Sequence, residues 1–138
     1  MLRGIATVNI YAEDLKEARR WYTELLGAEP YFAREVDGGL AYVEFRIGDF
    51  STELGIIDAR FAPQPRGTRE TVSGAIAYWA VDDAEAAFTR LLELGATEHQ
   101  AVRTQGPGFV TASVVDPFGN LLGVMENSHY VEVVESVR

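Results

Sequence analysis

The chain has 138 residues, 47% hydrophobic and 24% charged, the balance of one soluble globular domain rather than of a disordered chain. It contains no cysteine, which excludes thiol catalysis, zinc ribbons, iron–sulfur clusters and disulfide scaffolds. Its 12 Lys and Arg against 21 Asp and Glu leave a net charge of −9 without the basic cluster that nucleic acid requires, and no apolar run approaches the roughly 18–20 residues that span a bilayer.

Residues 1–7 hold one basic residue and no long apolar run, so no signal peptide is expected and the expected location is the cytoplasm. In residues 5–12, Val8, Ile10 and Ala12 alternate with Asn9 and Tyr11, which predicts a strand with one face on a core. Asp14 then stands as an N-cap, with Glu17 in the capping-box position. Leu15, Ala18, Tyr22, Leu25 and Leu26 recur at helical spacing, and Gly27 closes the helix. Residues 31–36 and 41–47 read as strands around the turn Asp37-Gly38-Gly39, and residues 51–58 as a fourth strand.

Residues 59–73 carry Pro63, Pro65, Gly67 and Ser73 with little periodicity, and read as a linker. The pattern then restarts. Residues 75–81 predict an apolar strand, and Asp82-Asp83 cap a helix whose Ala84, Ala87, Phe88, Leu91 and Leu92 share a face, closed by Gly95. Residues 97–103, 109–116 and 121–126 read as strands, the last two joined by the turn Pro117-Phe118-Gly119-Asn120. The chain is an internal duplication: Gly27 and Gly95 are separated by the same interval as Gly55 and Gly123, and Leu54-Gly55-Ile56-Ile57-Asp58 matches Leu122-Gly123-Val124-Met125-Glu126. In the tail, residues 130–134 read Tyr-Val-Glu-Val-Val, an alternation that predicts a strand added to a sheet edge.

These residues carry a resemblance. Asp14-Leu15, Trp21-Tyr22 and Leu25-Leu26-Gly27 resemble the first strand–helix unit of the vicinal oxygen chelate superfamily, which includes glyoxalase I, bleomycin-resistance proteins and extradiol dioxygenases. Val81-Asp82-Asp83 with Leu91-Leu92-Glu93-Leu94-Gly95-Ala96 resembles the second, and Asp116-Pro117-Phe118-Gly119-Asn120 resembles the family's terminal turn. The resemblance implies an α+β fold, with two tandem βαβββ modules forming a concave mixed sheet or half-barrel with helices outside. It places module one at 4–58, the linker at 59–73, module two at 74–127 and a tail at 128–138 of a single domain, and it implies a homodimer.

Metal-dependent relatives place two ligands per module, one early on the first strand and one on the last, where a divalent metal polarises vicinal oxygens of the substrate. Carried over, those positions fall on Thr7, Gly55, Ile76 (Ala75 in the other register) and Gly123. Glycine has no side chain and Ile or Ala no donor, so no metal or other cofactor is expected. Glu53 with His129 is the alternative pair, but two scattered ligands seldom hold a metal. No nucleophile elbow, phosphate loop or metalloprotease motif appears.

The expectation is therefore a metal-free, glyoxalase-like protein whose cleft binds or sequesters an aromatic or cationic small molecule, as the bleomycin-resistance branch does. Asn9, Tyr11, Tyr42, Glu53 and Tyr78 are the candidate ligand-binding residues, as stacking and polar contacts. No nucleic acid or membrane partner is expected. The alternatives are a metal-dependent lyase, isomerase or dioxygenase with displaced ligands, and a structural or regulatory protein without a small-molecule site. The glycines make one further fork: the room they leave admits a flat ligand, or is filled by Tyr42, Tyr78 and Met125.

Overall fold

The computed structural model describes residues 1–63 and 72–138, in two compact units that lie within Met1–Arg66 and Gly67–Arg138. The chain adopts the α+β class with two βαβββ modules. The first runs β1 (Thr7–Ala12), α1 (Leu15–Leu26), β2 (Phe32–Val36), β3 (Gly39–Ile47) and β4 (Thr52–Asp58), followed by a 3-10 turn, Ala59–Phe61. The second runs β5 (Tyr78–Ala80), α2 (Ala84–Glu93), β6 (Thr97–Gly106), β7 (Phe109–Val115) and β8 (Leu121–Asn127), followed by α3 (Ser128–Ser136). Most of the expected linker, residues 64–71, lies outside the described residues. Among the described residues no helix is long and apolar enough to cross a membrane.

The first sheet has strand order β1-β4-β3-β2, with β1 parallel to β4 and the other pairs antiparallel. Helix α1 lies against β1, β3 and β4. Asp14 starts it by accepting a hydrogen bond from the Glu17 amide, and Gly27 ends it in the left-handed region. Its buried Leu15, Ala18, Trp21 and Tyr22 form one layer, with the two rings edge to face at 4.8 Å. Besides the small Ala12 and Ala41, the sheet buries four large side chains, Val43, Phe45, Leu54 and Ile56. Each is worth about 1.5–3 kcal/mol by burial. Strict alternation then turns Thr7, Asn9, Tyr11, Tyr42, Glu44, Arg46, Glu53, Gly55 and Ile57 to the opposite face.

The second sheet repeats the order as β5-β8-β7-β6, with β5 parallel to β8. Helix α2 lies against β6, β7 and β8, capped by the Asp83 carboxylate on the Ala86 amide. Its end differs from expectation by one residue. Leu94 is the C-cap, and Gly95 follows at φ +100 while its N–H donates to the Leu92 carbonyl and that of Ala96 to Leu91. That 5→2 and 6→1 pair is the Schellman arrangement, which reserves the position after the cap for glycine.

Two other expectations are corrected. The strand expected over residues 75–81 is ordered as β only at Tyr78–Ala80, flanked by backbone hydrogen bonds from Gly123 to Ala77 and from Val81 to Met125. The tail does not add a strand. Asn127 accepts a hydrogen bond from the Tyr130 amide and starts a helix. Val134 is the buried side chain of that helix while Val131 and Val133 are exposed, so the tail lacks the half-buried alternation of a strand.

Candidate functional site

On the face of the first sheet away from α1, side chains stand in cross-strand rows. Glu53 lies between Thr7 and Arg46; Gly55 lies between Asn9 and Glu44; Ile57 lies between Tyr11 and Tyr42. The rows are linked by polar contacts. The Thr7 hydroxyl donates to Glu53 Oε1 at 2.8 Å, and Arg46 reaches both carboxylates, Nε to Glu44 Oε2 at 3.0 Å and Nη2 to Glu53 Oε2 at 3.6 Å. The same guanidinium sits 3.9 Å from the centre of the Tyr31 ring. Tyr42 donates its hydroxyl to Glu44 Oε1 at 2.9 Å, and burial together with that carboxylate pushes its phenol up to about 12.

Four of the five candidates, Asn9, Tyr11, Tyr42 and Glu53, are thus on one face of one sheet. Glu53 is not a spare carboxylate, being held by Thr7 and Arg46. Sequence reasoning missed Glu44, Arg46 and Tyr31. The signal was present in β3, where Tyr42, Glu44 and Arg46 alternate with Val43 and Phe45.

In the second unit, Tyr78, Gly123, Ser113 and Gln100 are successive cross-strand partners. Gln100 Oε1 accepts from the Tyr78 hydroxyl at 3.2 Å and from Ser113 Oγ at 3.0 Å, and His99 Nδ1 lies 2.9 Å from the same Ser113 oxygen. Ser113 is fully buried, so its hydroxyl is satisfied within this network. Sequence reasoning missed it because β6 slips register between Glu98 and Gln100 and again before Arg103, which no alternation rule anticipates. A depression of about 410 Å³ opens beside it, lined by Tyr78, Gln100, Ala101, Val102, Arg103, Gln105 and Thr111.

The positions that hold a divalent metal in metal-dependent relatives are filled differently here. A Cβ on Gly55 would collide with Asn9 Oδ1 and would stand 2.7 Å from the Tyr42 ring and hydroxyl. A Cβ on Gly123 would stand 2.5 Å from Tyr78 Cδ1 and 2.9 Å from Ile76 Cγ2. The room at both glycines is therefore taken by side chains of the same unit. Thr7 is engaged with Glu53, and Ile76 has no donor. Among the described residues no three His, Asp or Glu side chains gather where a metal ion could be held, and the alternative ligand His129 is exposed on α3. These residues do not fit a divalent metal.

Two further carboxylates have structural duties. Glu126 accepts from the Ala84 amide at 2.9 Å at the start of α2. Asp116 is fully buried and accepts from the amides of Phe118 at 2.9 Å and Asn120 at 2.8 Å, which closes the turn between β7 and β8.

The family model described as Glyoxalase/Bleomycin resistance protein/Dioxygenase superfamily matches residues 4–124. No curated protein matches the chain. Among solved structures, a member of that superfamily from Sphaerobacter thermophilus superposes with a TM-score of 0.70 at 20% identity, covering 91% of this chain and 98% of that one. A lactoylglutathione lyase from Agrobacterium tumefaciens gives a TM-score of 0.66 at 22% identity, covering 94% and 98%. TioX from Micromonospora sp. ML1 gives 0.65 at 16% identity, covering 90% and 98%. Likeness at these identities establishes a shared fold and leaves the activity open.

Proposed function

This chain belongs to the glyoxalase/bleomycin resistance protein/dioxygenase superfamily, and from that premise we propose that it is a metal-free member that binds or sequesters an aromatic or cationic small molecule. One observation carries the reading. Both glycines at the family's last-strand ligand positions are overlaid by side chains of their own unit, Asn9 and Tyr42 at one and Tyr78 at the other. A metal relative needs donors there, whereas this chain presents rings and hydrogen-bonding groups. Such faces bind by stacking and placed polar contacts.

The first face suits an aromatic cation, with Glu44, Glu53, Tyr31 and Tyr42 already gathered around the guanidinium of Arg46. Asn9 and Tyr11 flank that cluster, and Tyr78 offers a ring on the second sheet. The same reading takes the protein as a cytoplasmic homodimer, which light scattering at micromolar concentration checks.

The test is a thermal-shift screen of aromatic cations, aromatic acids and neutral aromatics, run beside elemental analysis of the purified protein. Binding raises the melting temperature by mass action, about 2.7 kcal/mol at a hundredfold excess over Kd. Stoichiometric Ni, Zn, Mn or Fe that survives dialysis would overturn the metal-free assignment. A melting temperature unmoved by every compound class would overturn the binding assignment.

A further inference from the structure

We infer that the depression on the second sheet is a subsite for the anionic oxygen of an aromatic ligand, a carboxylate on a planar apolar body. The inference rests on the small-molecule-binding reading and names the chemistry of one part of the ligand. Its first support is the absence of acid: among the described residues that line this depression there is no Asp or Glu, and the one charged residue is Arg103. Arg103 makes no ion pair or hydrogen bond with any described residue, unlike Arg46, which is bridged to two carboxylates. A guanidinium that pairs with no described residue, beside an open depression, has its planar fork to offer to a carboxylate.

The second support is the direction of the neighbouring hydrogen bonds. Gln100 Oε1 already accepts from Tyr78 and Ser113, so its amide nitrogen, which donates to no described residue, is the group left over. Thr111 Oγ1 accepts from Gln105 Nε2 at 3.0 Å, which leaves its own proton to give. The unused capacity around the depression is therefore mainly donor: the Arg103 fork, the Gln100 amide and the Thr111 hydroxyl. An anionic oxygen satisfies several of these at once, and a cation satisfies none. The Tyr78 ring and the aliphatic Ala101 and Val102 supply the surface for a planar body.

The probes are naphthoate, neutral naphthamide and cationic naphthamidine, which share one ring system and differ in charge. Their titration into the intact protein, followed by melting temperature and by the side-chain amide resonances of Gln100 and Gln105, gives the order of affinity. Naphthoate is expected to bind about two- to fivefold tighter than naphthamide, the range for an exposed ion pair. Arg103→Gln is expected to erase that preference while leaving the melting temperature of the free protein unchanged, since Arg103 is exposed and unpaired among the described residues. Equal affinities, a preference for the amidine, or a preference that survives Arg103→Gln would each overturn the inference and leave the small-molecule reading standing. No response to any of the three overturns the inference too, and it reaches the parent reading only if the wider screen also leaves the melting temperature unmoved.

Discussion

Tyr78 lies across Gly123, its strand partner, so closely that a single added carbon would stand 2.5 Å from the ring. The glycine is what allows the ring to lie flat on the sheet, and the ring is what fills the space the glycine leaves. Gly123→Ala is therefore expected to destabilise the fold by about 1–3 kcal/mol through overpacking. Tyr78→Ala in the same background should recover part of that loss, because the two changes share one contact. Chemical denaturation of the four proteins of the cycle measures the coupling. Additive single-mutant losses would show that the ring does not depend on the glycine.

Tyr42 is half-buried beside Glu44, and both the partial burial and the carboxylate favour its neutral form, raising the phenol from 10.0 to about 12. The folded state then holds its proton where the unfolded state has lost it. This contribution to stability is fully present below pH 10 and is lost as the pH rises through about 12. The difference in near-ultraviolet phenolate absorbance between wild type and Tyr42→Phe should titrate near that value. In Glu44→Gln the midpoint should fall toward the ordinary range. A Tyr42 midpoint near 10 in the wild type would contradict the hydrogen-bonded geometry.

Much of this fold was readable because its rules are local. The α1 amphipathicity, the Asp14 and Asp83 caps and the matched glycines all state their roles within a few residues. The candidates Asn9, Tyr11, Tyr42 and Glu53 share a face because strand alternation dictates it. What escaped depends on neighbours in space. Arg46 bridges Glu44 of its own strand and Glu53 of the neighbouring one, and Gln100 reaches Tyr78 and Ser113 only after β6 has slipped register. The tail was misread for a different reason: five residues are too few to separate a period of two from one of 3.6.

That tail yields a prediction. Asn127 accepts the Tyr130 amide at 3.0 Å, and the Ser128 amide donates to the Gly108 carbonyl at 3.1 Å, so the start of α3 is fixed by one side chain and one turn. Asn127→Ala should cost about 0.5–2 kcal/mol, as the loss of an N-cap does, while Asn127→Asp should be close to neutral. Hydrogen exchange of the α3 amides reports the effect directly. Protection in Asn127→Ala equal to wild type would mean that packing of Val134, and not the cap, sets the helix start.

Arg46 supplies the sharpest test of the first face. It places one positive charge between Glu44 and Glu53 and stacks on Tyr31, the contacts that an aromatic cation would seek. An incoming cation must therefore displace it or meet a cluster whose two negative charges are already half offset. Arg46→Ala leaves two carboxylates and a ring without their internal cation. Benzamidine is expected to bind this variant on the order of tenfold more tightly than wild type, with a salt dependence that steepens accordingly. Calorimetric titration at two ionic strengths measures both. Glu53→Gln in the same background should return the affinity most of the way to wild type, since the gain comes from the uncovered carboxylate rather than from the space vacated. An affinity that rises in Arg46→Ala and persists in the double variant would assign the effect to room alone, and would remove the carboxylates from the recognition of a cationic guest.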